Sequence, residues 1–305
     1  MLLTGAGGQL GRALRGSAPA GAVLRALTRA ELDIADADAI EGAVREFAPQ
    51  AVINAAGYTA VDDAEKLPEA ASSANALGPG LLAAACARHG AWLTHVSTDF
   101  VFDGRQSHPY ASAAQPNPLS VYGRTKLEGE RAVQRELPDG STVVRASWLY
   151  SASGGFLGRM LALMRTRSEL SVVSDQVSCP TAASGLAAVL WALSSRRAAG
   201  LWHWCDSGAA SWYDFAVAIA EEALRLKLLP QAPPILAIGT AEYPTAAVRP
   251  AYSLLDKRPT ERFLGIRARH WRTALRETLG GLEAGATSAS ATSAAPSAGR
   301  AGGAA

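Results

Sequence analysis

Met1-Leu2-Leu3-Thr4-Gly5-Ala6-Gly7-Gly8-Gln9-Leu10-Gly11 opens the chain, and its reading decides how the rest is built. The first four residues are a short, mainly apolar run, read as a strand. Gly5, Gly8 and Gly11 follow at a spacing of three, and Leu10, Ala13 and Leu14 then recur as one face of a helix. A strand that turns through glycines into a helix gathers backbone N–H groups and the positive end of the helix dipole at one point. That point suits an anion, and the missing side chains let the backbone approach it closely. The spacing is the G-x-x-G-x-x-G form of a pyrophosphate-binding turn, so Gly5, Gly8 and Gly11 are candidate cofactor residues.

Outward from this turn, strand-like and helix-like stretches alternate. Val23–Leu27 reads as a second strand, followed by Thr28 and Arg29. In a dinucleotide fold an acidic residue at this point holds the ribose 2′-hydroxyl of NAD, and an arginine suits the 2′-phosphate of NADP. Thr28 brings no carboxylate and Arg29 brings a cation, which favours NADPH with NADH possible. Asp33 lies early enough to face the adenine, and Asp36 or Asp38 caps a helix through Ile40, Val44 and Phe47. Ala51–Asn54 is a third strand, ending in the small residues Ala55, Ala56 and Gly57. Trp92–Val96 alternates as a strand, His95 reads as packing, and Ser97, Thr98 and Asp99 fall at the strand's carboxyl end, where parallel sheets bind ligands. Repeated units of this kind predict an α/β, doubly wound parallel sheet of the Rossmann type.

Ser120-Val121-Tyr122-Gly123-Arg124-Thr125-Lys126 reads as a helix start. Tyr122 and Lys126 are four apart, hence on one face. An ammonium near a phenol favours the phenolate, so the spacing predicts a lowered tyrosine pKa and a residue able to give or take a proton near neutrality.

The stretches TGAGGQLG, NAAGYTAVDDAE, STDFVFDG, NPLSVYGRTKLEGE, RASWLY, DQVSCPT and YPTAAVRPAYSLLD occur in this order, from Met1 to about Leu282. Together they resemble the extended short-chain dehydrogenase/reductases, and within them the dTDP-4-dehydrorhamnose reductase family. The resemblance implies NAD(P)H-dependent reduction of the 4-keto group of a nucleotide sugar, dTDP-4-dehydro-β-L-rhamnose. It makes Tyr122 the proton donor, Lys126 the ligand of the nicotinamide ribose, and Thr98 the partner of the sugar oxygen. Asp99, Trp148 and Arg249 become substrate residues. Gly8, Gln9 and Leu10 would lie along the pyrophosphate, Gly57, Tyr58, Thr59 and Val96 would line the cofactor cleft, and Asp33 would approach the adenine. The alternatives are a reductase, epimerase or dehydratase acting on another nucleotide sugar, or a non-catalytic NADP-binding regulatory subunit. Four positions depart from the family pattern. Phe100 replaces a frequent tyrosine and Gly155 a frequent asparagine. Thr28 stands in place of an aspartate, and Ala13 stands where some members carry a glutamate linked to Mg²⁺, so no metal is expected.

Past Tyr150 the alternation is less regular. Phe156–Met164 reads as a helix, Leu170–Val173 as a strand, and Ser211 as the cap of a helix carrying Phe215, Ile219, Ala220 and Ala223. The expected organisation is a dinucleotide-binding domain over 1–150, then a smaller substrate domain over 151–284 that is partly interwoven with the first. A low-complexity tail over 285–305 is expected to be disordered. Lys and Arg number 29 against 27 Asp and Glu, a net charge of +2. That balance gives no electrostatic case for nucleic acid or an anionic membrane. Cys86, Cys179 and Cys205 match no metal spacing and read as buried thiols of a reducing compartment. With no leader-like start and no long apolar run, the cytoplasm is the expected location, and the protein is expected as a monomer or homodimer.

Overall fold

The computed structural model describes residues 1–152 and 154–292, with side chains as far as residue 281. Six strands make one parallel sheet: β1 (Leu2–Thr4), β2 (Arg25–Leu27), β3 (Ala51–Asn54), β4 (Trp92–Thr98), β5 (Ser141–Ala146) and a strand from late in the chain, Gly200–Trp204. That late strand lies beside β5, and the spatial order continues through β4, β3 and β1 to β2. β1 is therefore flanked by β2 on one side and β3 on the other, with Leu3 opposite both Ala26 and Ile53. The chain reverses its direction of winding there, which opens a crevice at the carboxyl end of β1, at Gly5.

Alternation along the strands builds the two faces of the sheet. Leu2, Val52 and Val143 face a core that includes Ile40, Val44, Leu82, Leu93 and Val133. Apart from Leu93 of β4, these come from helices α2 (Ala37–Phe47), α5 (Gly78–His89) and α6 (Val121–Glu136). Leu3, Ile53 and Val144 point the other way, against Leu10 and Leu14 of α1 (Gln9–Gly16) and against Leu186, Leu190 and Trp191 of α8 (Ala183–Ser195). Between β3 and α5 run the short helices α3 (Val61–Ala64) and α4 (Pro68–Ser72), then a π turn over Ser73–Leu77. Asp36 caps α2 by accepting the Ala39 N–H; Asp38 lies in the first turn. Cys86 is wholly buried in the first core.

A second group of elements rises from the carboxyl ends of the strands. It holds three two-stranded ladders: β6 (Leu149–Tyr150) with β9 (Thr181–Ala182), β8 (Val177–Ser178) with β11 (Ala210–Ser211), and β7 (Leu170–Val173) with β12 (Ile235–Ile238). Around them pack α7 (Gly155–Met164), α9 (Trp212–Arg225) and α11 (Trp271–Thr292), with α10 (Arg258–Leu264) lying nearer the sheet. Their core centres on Tyr150, Leu157, Met160, Phe215, Ile219 and Leu275. The late strand, β10, and the helix before it thus belong to the sheet layer, while the chain on either side of them belongs to the second group. Of the stretch expected to be disordered, α11 enters the first part, and residues 293–305 lie outside the described residues.

One ion pair lies inside this framework. Arg145 of β5 donates from Nε and Nη2 to the two oxygens of Glu130 on α6, at 2.8 and 2.6 Å, and both side chains are 2–3% exposed. Ser97 of β4 adds its hydroxyl to the same carboxylate at 2.5 Å. Replacing Arg145 by Met leaves Glu130 buried without its counter-charge and should cost about 3–5 kcal/mol in urea unfolding. Replacing both partners by apolar residues should recover most of that loss. An Arg145→Met variant as stable as the parent would show that the pair does not hold α6 to the sheet.

Candidate active site

The cleft lies where β1, β3 and β4 end. Gly5 has φ +70°, in the left-handed region that glycine adopts freely. A Cβ on Gly11 would lie 2.1 Å from the Gly5 carbonyl oxygen, so the first turn of α1 presses directly on the end of β1. α1 begins at Gly8 with no side-chain cap, which leaves its first-turn N–H groups unclaimed by any side chain. This donor set fits a pyrophosphate. Gly7 abuts Thr28, placing the end of β2 beside the turn. Thr28 itself is occupied by Glu31, whose carboxylate takes both its N–H and its hydroxyl at 2.8 and 2.7 Å. Arg29 is exposed next to it, and Arg12 reaches back to the Gly7 carbonyl. Asp33 is also exposed, its carboxylate accepting from the Ala35 N–H. Gln9, expected along the pyrophosphate, accepts instead from the Ser151 hydroxyl at 2.9 Å.

Beyond β3, the loop through Gly57, Tyr58 and Thr59 passes the lysine: a Cβ on Gly57 would come within 3.9 Å of Lys126 Nζ. Thr59 is exposed. Both backbone groups of Tyr58 are held by the buried Asn75, which also donates to Thr125 on α6. Asn75 sits on the π turn and received no role from the sequence, because nothing in the periodicity of the surrounding stretch marks a π turn. His95 is buried and neutral, its Nδ1 accepting from Asn54, whose oxygen takes the Thr4 hydroxyl. It is thus part of a polar chain linking β1, β3 and β4, and more than packing.

α6 carries the proposed chemistry. Ser120 caps it by accepting the Gly123 N–H. Gly123 has no room for a side chain, since its Cβ would lie 2.2 Å from the Phe100 carbonyl. That close approach seats Tyr122 against the end of β4, where the Phe100 ring meets it edge-on at 5.6 Å. The tyrosine that family members often carry at 100 would extend this contact; here an apolar ring makes it. Lys126 is buried and donates to the Val96 carbonyl at 2.6 Å. Thr98 donates to Asp99 at 3.1 Å and accepts the Phe100 N–H.

The titration of this group differs from the expectation drawn from spacing. Burial pushes the Tyr122 phenol up to about 12, with the Thr98 hydroxyl opposing and the Asp99 charge adding. Burial also pushes Lys126 down to about 8, with the Glu130 carboxylate opposing. The lysine does not lower the tyrosine here, because its proton is directed at a carbonyl and both groups lose solvent. At neutral pH the pair is phenol and ammonium, a state ready to release a proton.

Asp99 departs from its expected place on the substrate surface. It is 1% exposed, and its carboxylate accepts from Ser253 at 2.5 Å, Thr98 at 3.1 Å and Ser178 at 3.4 Å. It therefore backs Thr98 and ties β4 to the second group of elements. Trp148, with φ +43°, stacks face to face on Trp212 at 3.5 Å. Trp212 lines a cavity of about 230 Å³ together with Phe156, Arg159, Gln176 and Arg249. Arg249 is not free: it pairs with Asp62 in bidentate fashion, at 3.0 and 2.6 Å. Cys179 and Cys205 are buried beside each other, consistent with structural thiols.

A family model described as "RmlD substrate binding domain" matches residues 1–283. The chain is similar to a dTDP-4-dehydrorhamnose reductase of Aggregatibacter actinomycetemcomitans, 40% identical over 285 residues that cover 90% of this chain and 97% of the relative. Among solved structures it resembles a dTDP-4-dehydrorhamnose reductase of Clostridium acetobutylicum, with a TM-score of 0.86, 37% identity and coverage of 92% and 99%. It also resembles the Bacillus anthracis dTDP-4-dehydrorhamnose reductase in complex with NADP, with a TM-score of 0.87, 32% identity and coverage of 92% and 98%.

Burial raises the Asp99 carboxyl to about 6, against the pull of its hydroxyl partners. A carboxyl with a higher pKa folded than unfolded binds its proton more tightly in the fold. Its contribution to stability is therefore complete below its unfolded value of 3.8 and is lost as pH rises through about 6. An Asp99→Asn variant lacks this loss, so its stability relative to the parent should improve across that window in urea unfolding. Parallel pH profiles for the two proteins would show that Asp99 does not titrate there.

Proposed function

The chain belongs to the RmlD substrate binding domain family, and on that premise we propose that it is a dTDP-4-dehydrorhamnose reductase. It reduces the 4-keto group of dTDP-4-dehydro-β-L-rhamnose to give dTDP-β-L-rhamnose, using NADPH, with NADH as a possible substitute. The observation that carries this reading is the meeting of the Thr98 and Tyr122 hydroxyls, with Lys126 in the same cleft, at the carboxyl end of a parallel sheet whose first turn is an open anion cradle.

NADPH, when bound, supplies the hydride; the chain's own residues handle position and proton. Gly5, Gly8, Leu10 and Gly11 receive the pyrophosphate on backbone N–H groups, with Gln9 beside them. Arg29 and Arg12 offer the 2′-phosphate its counter-charge. Gly57, Tyr58, Thr59 and Val96 line the cleft toward the nicotinamide, and Lys126 anchors the ribose. Asp33 stands at the adenine end.

As the ketone carbon is reduced, its oxygen gains negative charge and becomes far more basic than a phenolate. Tyr122 then gives its proton to that oxygen. A phenol held near 12 is fully protonated at neutral pH, so no activation by base is needed in this direction. Thr98 shares its hydroxyl between Asp99 and the sugar oxygen, and Asp99 keeps that hydroxyl in register. Trp212, with Trp148 stacked on it, walls the sugar side of the cavity, and Arg249 stands at its edge near the diphosphate. The chemistry suits a cytoplasmic enzyme whose cysteines stay as free thiols. No helix among the described residues is long and apolar enough to cross a membrane.

The test is to mix the purified protein with the keto sugar and follow the near-ultraviolet absorbance of NADPH. One NADPH should be consumed per sugar reduced, which separates a reductase from an epimerase or dehydratase. Tyr122→Phe should lower kcat by roughly 100-fold or more, the scale of general-acid catalysis, and leave NADPH affinity nearly unchanged. Turnover by Tyr122→Phe at the parental rate would overturn the mechanism.

A further inference from the structure

The segment from Tyr243 to Arg249 supplies part of the cavity wall through Tyr243, Thr245 and Arg249. Little apolar burial holds it there. Tyr243 is 49% exposed and Val248 61%, and only Ala247 is fully covered. What fastens this strap is the carboxylate of Asp62 on α3, just after the Gly57–Thr59 loop. One oxygen accepts the Ala247 N–H at 3.1 Å and Arg249 Nη1 at 3.0 Å; the other accepts Arg249 Nη2 at 2.6 Å. The Arg249 side chain is 20% exposed and the Asp62 side chain 41%, so the arginine half of the fork is the more shielded. A parallel two-bond pair of this kind fixes direction as well as distance.

Immediately after α3, Glu65 makes a second long-range contact. It accepts the N–H of Val121, the first residue of α6 and the neighbour of Tyr122, at 2.7 Å. α3 is thus a bracket between the strap on one side and the catalytic helix on the other. Both acids belong to the VDDAE stretch, whose carboxylates the mechanism leaves unused.

We infer that Asp62 is a positioning residue for substrate: by gripping Arg249 and the Ala247 amide it holds the strap as a wall of the nucleotide-sugar cavity, in register with Tyr122 through Glu65. This rests on the substrate reading above. On this reading Asp62 acts through Arg249 and the Ala247 amide, so its removal should weaken substrate binding and leave the chemical step and the cofactor alone.

The experiment uses the full chain in parental form and as Asp62→Ala and Asp62→Asn. Two readouts are taken: steady-state kinetics with the keto sugar and NADPH, and hydrogen exchange of the peptide spanning the strap. Asp62→Ala should raise KM for the sugar by about tenfold, equivalent to about 1.4 kcal/mol. Its kcat and its KM for NADPH should stay near parental values, and strap exchange should accelerate. Asp62→Asn, which keeps acceptor and shape, should fall between the parent and Asp62→Ala in both. Faster exchange with an unchanged KM would overturn the inference, as would a raised KM with unchanged exchange. A parental protein that does not oxidise NADPH with this sugar overturns the substrate reading instead, and the exchange data still report whether Asp62 holds the strap.

Discussion

The buried pair between Arg145 and Glu130 is the constraint on which the catalytic geometry depends. A lone charge in that position would be strongly unfavourable, so each partner is compelled to keep the other within hydrogen-bonding reach. Glu130 is on the helix of Tyr122 and Lys126, one turn beyond the lysine; Arg145 is on the central strand beside β4. Ser97, the third party to the pair, directly precedes Thr98. The three residues that would meet the substrate are therefore set by a single polar knot lying beneath them. Phe102, over whose ring the Arg145 guanidinium sits at 5.1 Å, extends that knot toward the Tyr110 ring. Glu130 has an electrical role too, since its charge resists the loss of the Lys126 proton.

Burial decides the behaviour of the tyrosine and lysine more than their mutual distance does. Reading charge from helical spacing gives the ammonium the leading effect on the phenol. In the fold, both groups lose water, and the lysine spends its short hydrogen bond on the Val96 carbonyl. The phenol keeps its proton and the ammonium holds its own less firmly. For a proton donor this is a serviceable arrangement: the acid is always loaded, and the rising basicity of the reduced oxygen supplies the pull.

What could be read in the chain beforehand was whatever is local. The glycine turn, the Tyr122 and Lys126 pair, the Ser211 cap and the strand alternation all lie within a few residues of one another, and short-range geometry fixes their meaning. The family stretches added Trp148 and a role for Thr98, whose place at a strand end had already marked it. What escaped notice joins distant positions: Glu130 to Arg145, Asp99 to Ser253 across 154 residues, Asp62 to Arg249 across 187. No period announces such contacts, and an acid in a helix looks the same whether it faces water or a buried guanidinium. Asp99 shows the cost of this: its place at a strand end suggested open substrate surface, yet the Ser178 and Ser253 hydroxyls from across the fold have closed over it.

The return of the chain to the sheet through α8 and β10 carries a lesson about division. β10 is the outer neighbour of β5, pairing from Gly200 opposite Thr142 to Trp204 opposite Ala146. A chain severed after Tyr150 would leave β5, buried along its whole length, as a bare rim of unpaired amides and carbonyls. Such a rim invites other chains to zip onto it. The nucleotide-binding half thus has no self-sufficient existence: its border is guarded by a segment synthesised only after the chain has passed through β6, α7 and β7 to β9 of the other half. Since the polypeptide leaves the sheet layer and re-enters it, the two lobes are joined by more than one covalent thread, and opening the cleft must bend those threads together like a door on two hinges.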